Sequence, residues 1–296
     1  MHIQDDGMDI SLALGAGGAK GNSHIGVLRQ LEKHGFRVRA IAGTSFGGVV
    51  GAVYAAGYSI DELEEIFAQA DQHHLYGHRP QDNASLYGLA GIEQWLIDVL
   101  GDRTFADLKI PFAVAAVDLN SAHEVILCEG CVRDAILSTI ALPAIFSPFR
   151  VDGMELVDGG LFDPVPVSIA RSLAPHMPVV AVVLAKPVGE AARQPAFNLP
   201  FPEPIAQRLT RLRVAQAFGV FVRSLDVSDR LLTELRLKID KPDVVIRPDV
   251  ADIGLLDVVD IHEVAKRGEI AFEAALPQLK RIAAWPKRLS RRFLGG

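Results

Sequence analysis

Along the first sixty residues, short apolar blocks alternate between two periods. Ile10 to Leu14 is a continuous apolar run that ends in glycines, which predicts a buried strand. Gly21 to His34 carries apolar residues at Ile25, Val27, Leu28 and Leu31, a helical spacing, and Gly35 follows as a stop. Val38 to Ala42 predicts a second strand. A glycine-rich turn and an apolar helix ending at Ala56 and Gly57 come next. Ser59-Ile60-Asp61-Glu62 has the form of a capping box and opens another helix. Strand, helix, strand, helix predicts a parallel sheet wound in the right-handed sense.

Further on, Phe112 to Val117 and Val125 to Cys128 read as strands, and Val132 to Ile140 as a helix ending near Pro143. Asp152-Gly153 between Phe149-Val151 and Met154-Val157 is a hairpin signal. Pro166 to Leu173 reads as a helix and Val179 to Ala185 as a central strand. Pro187, Pro195, Pro200, Pro202 and Pro204 mark a loop, a connector or a lid, before a long helical stretch from Ile205. Asp243 to Ile246 and Ile261 to Leu279 are the last strand and helix. With no repeats and no linker between two cores, one domain is expected: a core over residues 9–185 and an extension of it over residues 186–296.

Composition narrows the function classes. Hydrophobic residues make up 49% of 296, enough for a sizeable core. The formal charge of −6 gives no reason to expect nucleic-acid binding. The start of the chain lacks a basic segment followed by an apolar run, so a secretion signal is not expected. No stretch reaches the ~18 apolar residues of a spanning helix. Two cysteines suit a reducing cytosol. Cys128-Glu129-Gly130-Cys131 has no second pair and no nearby histidine, which makes it a poor zinc site.

Gly43-Thr44-Ser45-Phe46-Gly47 lies between a predicted strand and a predicted helix. In that context a Gly-x-Ser-x-Gly match describes a serine on a strained turn, with Gly43 and Gly47 removing side chains that would collide. A plain glycine-rich junction with a capping serine fits the same letters. Gly15-Ala16-Gly17-Gly18-Ala19-Lys20-Gly21 follows the first strand. A dinucleotide fingerprint would need glycine where Lys20 stands and an acid after the second strand. The phosphate-loop pattern fails as well. The remaining reading is an oxyanion cradle made by the N–H groups of Gly17 and Gly18, supported by Gly15 and Gly21. Lys20 is a candidate contact for an anionic head group or a structural lysine.

A serine nucleophile needs a base. Only His176 and His262 follow Asp158; the first lies in a proline-flanked loop and the second in an ordinary helical pattern. His24 reads as a packing or capping residue. Asp158-Gly159-Gly160, delivered by the hairpin with open space beside its carboxylate, is the better candidate, although Asp-Gly can also be a mere turn.

Together these segments resemble the patatin-like phospholipase family, in its bacterial branch. The resemblance runs through the glycine loop, His24-Ile25-Gly26-Val27-Leu28 and the serine turn continuing to Gly57. It goes on through Leu108-Lys109-Ile110-Pro111-Phe112, Ala141-Leu142-Pro143-Ala144-Ile145-Phe146, Val157-Asp158-Gly159-Gly160 and Pro164-Val165-Pro166-Val167. It covers residues 9–185 well and the C-terminal third loosely. It implies a three-layer α/β/α fold with a mainly parallel sheet. It also implies a Ser45–Asp158 dyad without catalytic histidine, metal or other cofactor, an oxyanion loop at Gly17 and Gly18, and hydrolysis of acyl esters in phospholipids or related lipids. Ala16 departs from the family's usual glycine.

The expectation is therefore a cytoplasmic lipid acyl hydrolase acting peripherally at a membrane surface. An acyltransferase on the same dyad, or a regulatory lipid-binding protein, are the rivals. Ala141 to Phe149 is a candidate lining for an acyl channel. The tail from Ala274 to Gly296 has no acid and interleaves Lys280, Arg281, Lys287, Arg288, Arg291 and Arg292 with Trp285, Leu289 and Phe293, so it is a candidate interfacial anchor or a solvated end.

Overall fold

A computed structural model describes residues 8–72, 75, 88–190 and 213–293. In chain order the elements are β1 (Met8–Leu14), α1 (Ser23–Lys33), β2 (Phe36–Thr44), α2 (Phe46–Ala55), α3 (Ile60–Gln69) and α4 (Ala90–Leu100). They continue with β3 (Phe112–Asp118), β4 (His123–Leu127), α5 (Val132–Thr139), β5 (Phe149–Val151), β6 (Met154–Asp158) and α6 (Val167–Leu173). Last come β7 (Val179–Val182), α7 (Arg213–Asp240), β8 (Val244–Ile246) and α8 (Ile261–Phe293). The described strands form one open sheet in the order β5-β6-β3-β2-β1-β7-β8, with β4 paired to β3. β3, β2, β1, β7 and β8 run parallel; β4, β5 and β6 are antiparallel to their neighbours. This is the expected three-layer α/β/α arrangement.

Strand period two separates the two faces by size. Ile10, Leu12, Leu14, Ile41, Phe112, Val114, Val180 and Val182 point into a large core with α1, α2, α3, α4, α5 and α8. The opposite face carries Ala13, Ala42, Ala113, Ala115 and Ala181 under α6. Small residues there let α6 lie close enough for Ser11 Oγ to donate to the Ala170 carbonyl at 2.6 Å. A sheet buried on both sides explains why its strands read as continuous apolar runs.

The edges of β3 decide where the site forms. Val114 and Ala115 pair with β4 on one edge and β2 on the other. Ala116 to Asp118 pair with β4 and with β6. β6 therefore takes over the edge that β2 leaves, approaching from the opposite direction. Thr44 ends opposite Ala115 and Asp158 ends opposite Ala116. Two carboxyl ends meet head-on.

Several expectations hold locally. Ser59 and Glu62 form the capping box of α3. Asp152 and Gly153 both have positive φ, at 50° and 78°, and so make the tight hairpin between β5 and β6. α8 continues past the predicted Leu279, and α4 has no counterpart among the predicted elements. The prolines from Pro195 to Pro204, and the tail side chains beyond Ile282, lie outside the described residues.

α1 and α8 pack with almost no separation. A Cβ on Gly26 would come within 1.8 Å of the Ala265 carbonyl oxygen, and one on Gly268 within 1.9 Å of the Ser23 carbonyl oxygen. Neither backbone can yield without parting the helices. Gly26→Val should cost roughly 1–3 kcal/mol of overpacking strain, read as a lower midpoint in urea unfolding.

Candidate active site

Ser45 closes β2 and sits at φ 54° and ψ −129°, outside the regions a residue with a side chain prefers. The turn is enforced by crowding. A Cβ on Gly47 would lie 2.3 Å from the Leu14 carbonyl oxygen, and one on Gly43 2.5 Å from Gly48 Cα. Cβ atoms at Gly15, Gly21 and Gly159 would likewise fall 2.9, 2.3 and 2.2 Å from neighbouring atoms. Gly160 is less confined, with Asp158 Oδ1 at 3.1 Å. The Ser45 N–H donates to Thr139 Oγ1 at 2.9 Å, and Thr139 donates onward to the Ala115 carbonyl. Thr44 Oγ1 donates to the Asp163 carbonyl at 2.8 Å. The strained turn is thus tied on both sides.

Ser45 Oγ donates to Asp158 Oδ2 at 2.6 Å, across 113 residues of sequence. The Gly160 N–H donates to the other carboxylate oxygen at 2.7 Å. The Asp158 N–H donates to the Ala141 carbonyl at 3.0 Å. Both side chains are buried. Burial is the largest influence on Asp158 and pushes its pKa up to about 6, while the bonds from Ser45 and Gly160 pull it down. A buried, hydrogen-bonded carboxylate with that pKa can accept a proton near neutral pH.

The glycine loop lies beside them because β1 and β2 are parallel neighbours in register, Leu14 opposite Gly43. Its outer amides are engaged: Gly15 N–H with Val182 O, Ala16 N–H with Pro164 O, and Ala19 N–H with Leu255 O. Among the described residues the amides of Gly17 and Gly18 donate to no backbone carbonyl. Gly18 adopts φ +56°, and a Cβ there would strike the Leu255 carbonyl oxygen at 2.1 Å. Ala16 is absent from the residues with positive φ, so its methyl group costs the loop nothing. His24 is fully buried below the loop and donates from Nε2 to the Gly15 carbonyl at 2.9 Å. Burial drives its pKa down to about 4, so it is neutral.

The histidines weighed as bases lie elsewhere. His262 is exposed and its Nδ1 bonds Glu64 at 2.9 Å; His176 is exposed in the loop after α6. Neither borders the cavity around Ser45. Lys20 turns toward α7, with Asp226 at 4.0 Å. Asp229, on the same helix, has its pKa raised to about 7 by burial against the pull of Lys20.

Ser45 and Asp158 border a cavity of about 110 Å³. Its walls are Phe46, Val49, Phe67, Trp95, Ile140, Leu142, Phe146, Leu255 and Ile261, with Gly18 but not Gly17 in the lining. Phe67 stands edge-on to both Phe46 and Trp95, at 5.6 and 5.2 Å. Part of the Ala141 to Phe149 segment therefore does face the cavity. Sequence reasoning missed Trp95 and Ile92 on α4. The spacing of Ile92, Leu96, Val99 and Leu100 between Gly88 and Gly101 carried a helical signal for them. Thr139 had no such signal.

An open mixed sheet with a serine on a strained strand-to-helix turn, a buried aspartate and an apolar cavity defines a class. Residues 12–171 match the family model described as patatin-like phospholipase, and the chain belongs to that family. An uncharacterized NTE family protein of Mycobacterium tuberculosis is 37% identical over 163 residues, 54% of this chain and 44% of that protein. Human patatin-like phospholipase domain-containing protein 6 is 29% identical over 174 residues, 56% of this chain and 13% of that protein. Lysophospholipase NTE1 of Mycosarcoma maydis is 28% identical over 181 residues, 56% of this chain and 9% of that protein. The match thus spans less than half the length of each of these relatives. In three dimensions the chain resembles VipD from Legionella pneumophila, with a TM-score of 0.52 at 12% identity, covering 93% of this chain and 67% of that one. Among the described residues no helix is long and apolar enough to cross a membrane.

His24 gives a stability signature. Its folded pKa lies below the ordinary 6.5. Its contribution is present above 6.5 and is lost as pH falls from there through about 4. His24→Gln keeps a donor for Gly15 and removes this titration. The difference in Tm between wild type and variant should shrink steadily from pH 7 toward about pH 4; a constant difference would assign the ring no such linkage.

Proposed function

We propose that this protein is a serine lipid acyl hydrolase, of the phospholipase A or lysophospholipase kind, with Ser45 as nucleophile and Asp158 as general base. The observation that carries the reading is the 2.6 Å contact between their side chains at the edge of an apolar cavity. Ser45 Oγ attacks the ester carbonyl carbon and its proton passes to Asp158. Negative charge collects on the carbonyl oxygen, beside the amides of Gly17 and Gly18, which donate to no backbone carbonyl among the described residues. The tetrahedral intermediate collapses, Asp158 returns the proton to the departing alcohol, and an acyl-Ser45 ester remains. Water then attacks that ester, giving its proton to Asp158, and the fatty acid leaves as Ser45 is restored. The apolar lining suits an acyl chain, and the site works as a peripheral enzyme at a lipid surface.

A fluorophosphonate should add once to the intact protein and map to Ser45; Ser45→Ala should show no adduct. Labelling elsewhere, or undiminished in the variant, would refute the assignment. Asp158→Asn should lower kcat/KM on a soluble ester by about 10²- to 10⁴-fold, the usual weight of a general base, while His176→Ala and His262→Ala leave it near wild type.

The base is active when ionised, and its pKa is about 6. kcat/KM should therefore hold above pH 7 and fall about tenfold per unit below about 6. Folding is linked in the opposite sense to activity. A carboxyl whose folded pKa is raised adds stability at low pH, and loses it as pH climbs from about 4 through about 6. Asp158→Asn should thus match or exceed wild-type Tm at pH 8, measured by calorimetry.

A further inference from the structure

α7 packs against α6 and is amphipathic in the reverse sense for a helix at a protein surface. Most of its described charged groups turn inward. Asp226 pairs with Arg230 at 2.6 Å and faces Lys20. Glu234 pairs with Arg247 at 2.9 Å. Arg236 reaches Glu124 and Asp163 at 3.6 Å each and Asp240 at 3.9 Å. Thr233 is buried, and Leu237 packs against the small core under α6. Its apolar residues turn outward: Val220, Val227, Leu231, Leu235 and Ile239 are each 45 to 70% exposed. Spaced by four and seven residues, they form one stripe about 28 Å long at 1.5 Å per residue. A stripe of that size exposed to water marks an interaction surface.

The charge pattern says what it fits. Among the α7 residues whose exposure is described, the exposed charged ones are Arg223 and Lys238. Asp226, Glu234 and Asp240 are each drawn to an arginine. Apolar side chains flanked by exposed cations, with these acids engaged by arginines, complement a bilayer with anionic head groups. The helix also lies near the reaction site. Arg236 lies over the ring of Phe162 at 5.2 Å, and Phe162, itself exposed, follows Asp158 by four residues. Asp226 on the same helix faces Lys20 of the glycine loop.

We propose that the outward face of α7 docks the protein on phospholipid bilayers containing anionic lipid, setting the Ser45–Asp158 site beside its substrate. The inference rests on the lipid-hydrolase reading for its purpose, but docking itself requires no catalysis. The test uses full-length Ser45→Ala sedimented with vesicles of phosphatidylcholine, with and without phosphatidylglycerol. Adding Leu231→Gln and Leu235→Gln should lower the bound-to-free ratio about tenfold or more on both vesicles, since two exposed leucines lose their burial. Adding Arg223→Gln and Lys238→Gln instead should lower it roughly tenfold on phosphatidylglycerol vesicles at low salt, and little on phosphatidylcholine.

With Ser45 intact, Leu231→Gln with Leu235→Gln should keep wild-type kcat/KM on a soluble short-chain ester, which reports that the fold and site are whole. Vesicle binding unchanged in both variant pairs would overturn the proposal. So would a wild-type dimer that Leu231→Gln with Leu235→Gln converts to monomer while vesicles bind neither, since a second copy would then cover the stripe. Docking by Ser45→Ala together with no lipid hydrolysis by wild type would leave the docking standing and remove the enzymatic reading.

Discussion

The head-on meeting of β2 and β6 on one edge of β3 governs the site. Each strand ends in a residue with chemistry, and neither end is free to move. Ser45 is held by Thr139 and by the glycines packed about its turn, Asp158 by Ala141, Gly160 and its pairing with Ala116. Backbone ladders, rather than long side chains, therefore set the distance between hydroxyl and carboxylate. That is the kind of rigidity a two-residue site requires, since an error of about 1 Å can cost as much as 10²-fold in rate.

Such rigidity stores unfavourable energy in known places. Ser45 occupies a positive-φ conformation that costs on the order of 1–3 kcal/mol. Asp158 gives up water for two hydrogen bonds, and its raised pKa reports the imbalance. The large apolar core and the close contact of α1 with α8 offset these costs. The buried neutral His24 does so locally, by fixing the Gly15 carbonyl under the loop. What would weaken an ordinary turn here gives a poised acceptor of protons beside a hydroxyl.

Much of this was legible in the residues, for a physical reason. Glycines at Gly43 and Gly47 and the capping pair Ser59 and Glu62 act within a few residues, so the local sequence specifies their roles. The β1 and β3 runs, and β2 from Ala40 on, are buried on both faces and were readable as buried strands. The serine turn and the Asp158 hairpin were legible singly; that both end on one edge of β3 is a property of pairing, which periodicity does not encode. Thr139 reaches the site only through tertiary packing and had no local signature, whereas Trp95 sat within a helical spacing that was there to be read. α7 shows the limit most clearly, since its apolar stripe would ordinarily be assigned to the interior and instead faces out.

The span of 113 residues between Ser45 and Asp158 bears on how the molecule matures. Strands from both ends of that span must find β3 before the pair exists, and such nonlocal pairings are slow to form because loop entropy must first be overcome. A nascent or partly assembled chain has the hydroxyl without its acceptor. On the proposed reading, lipid-cleaving capacity arrives only with the finished topology, so immature copies spare the membranes around them.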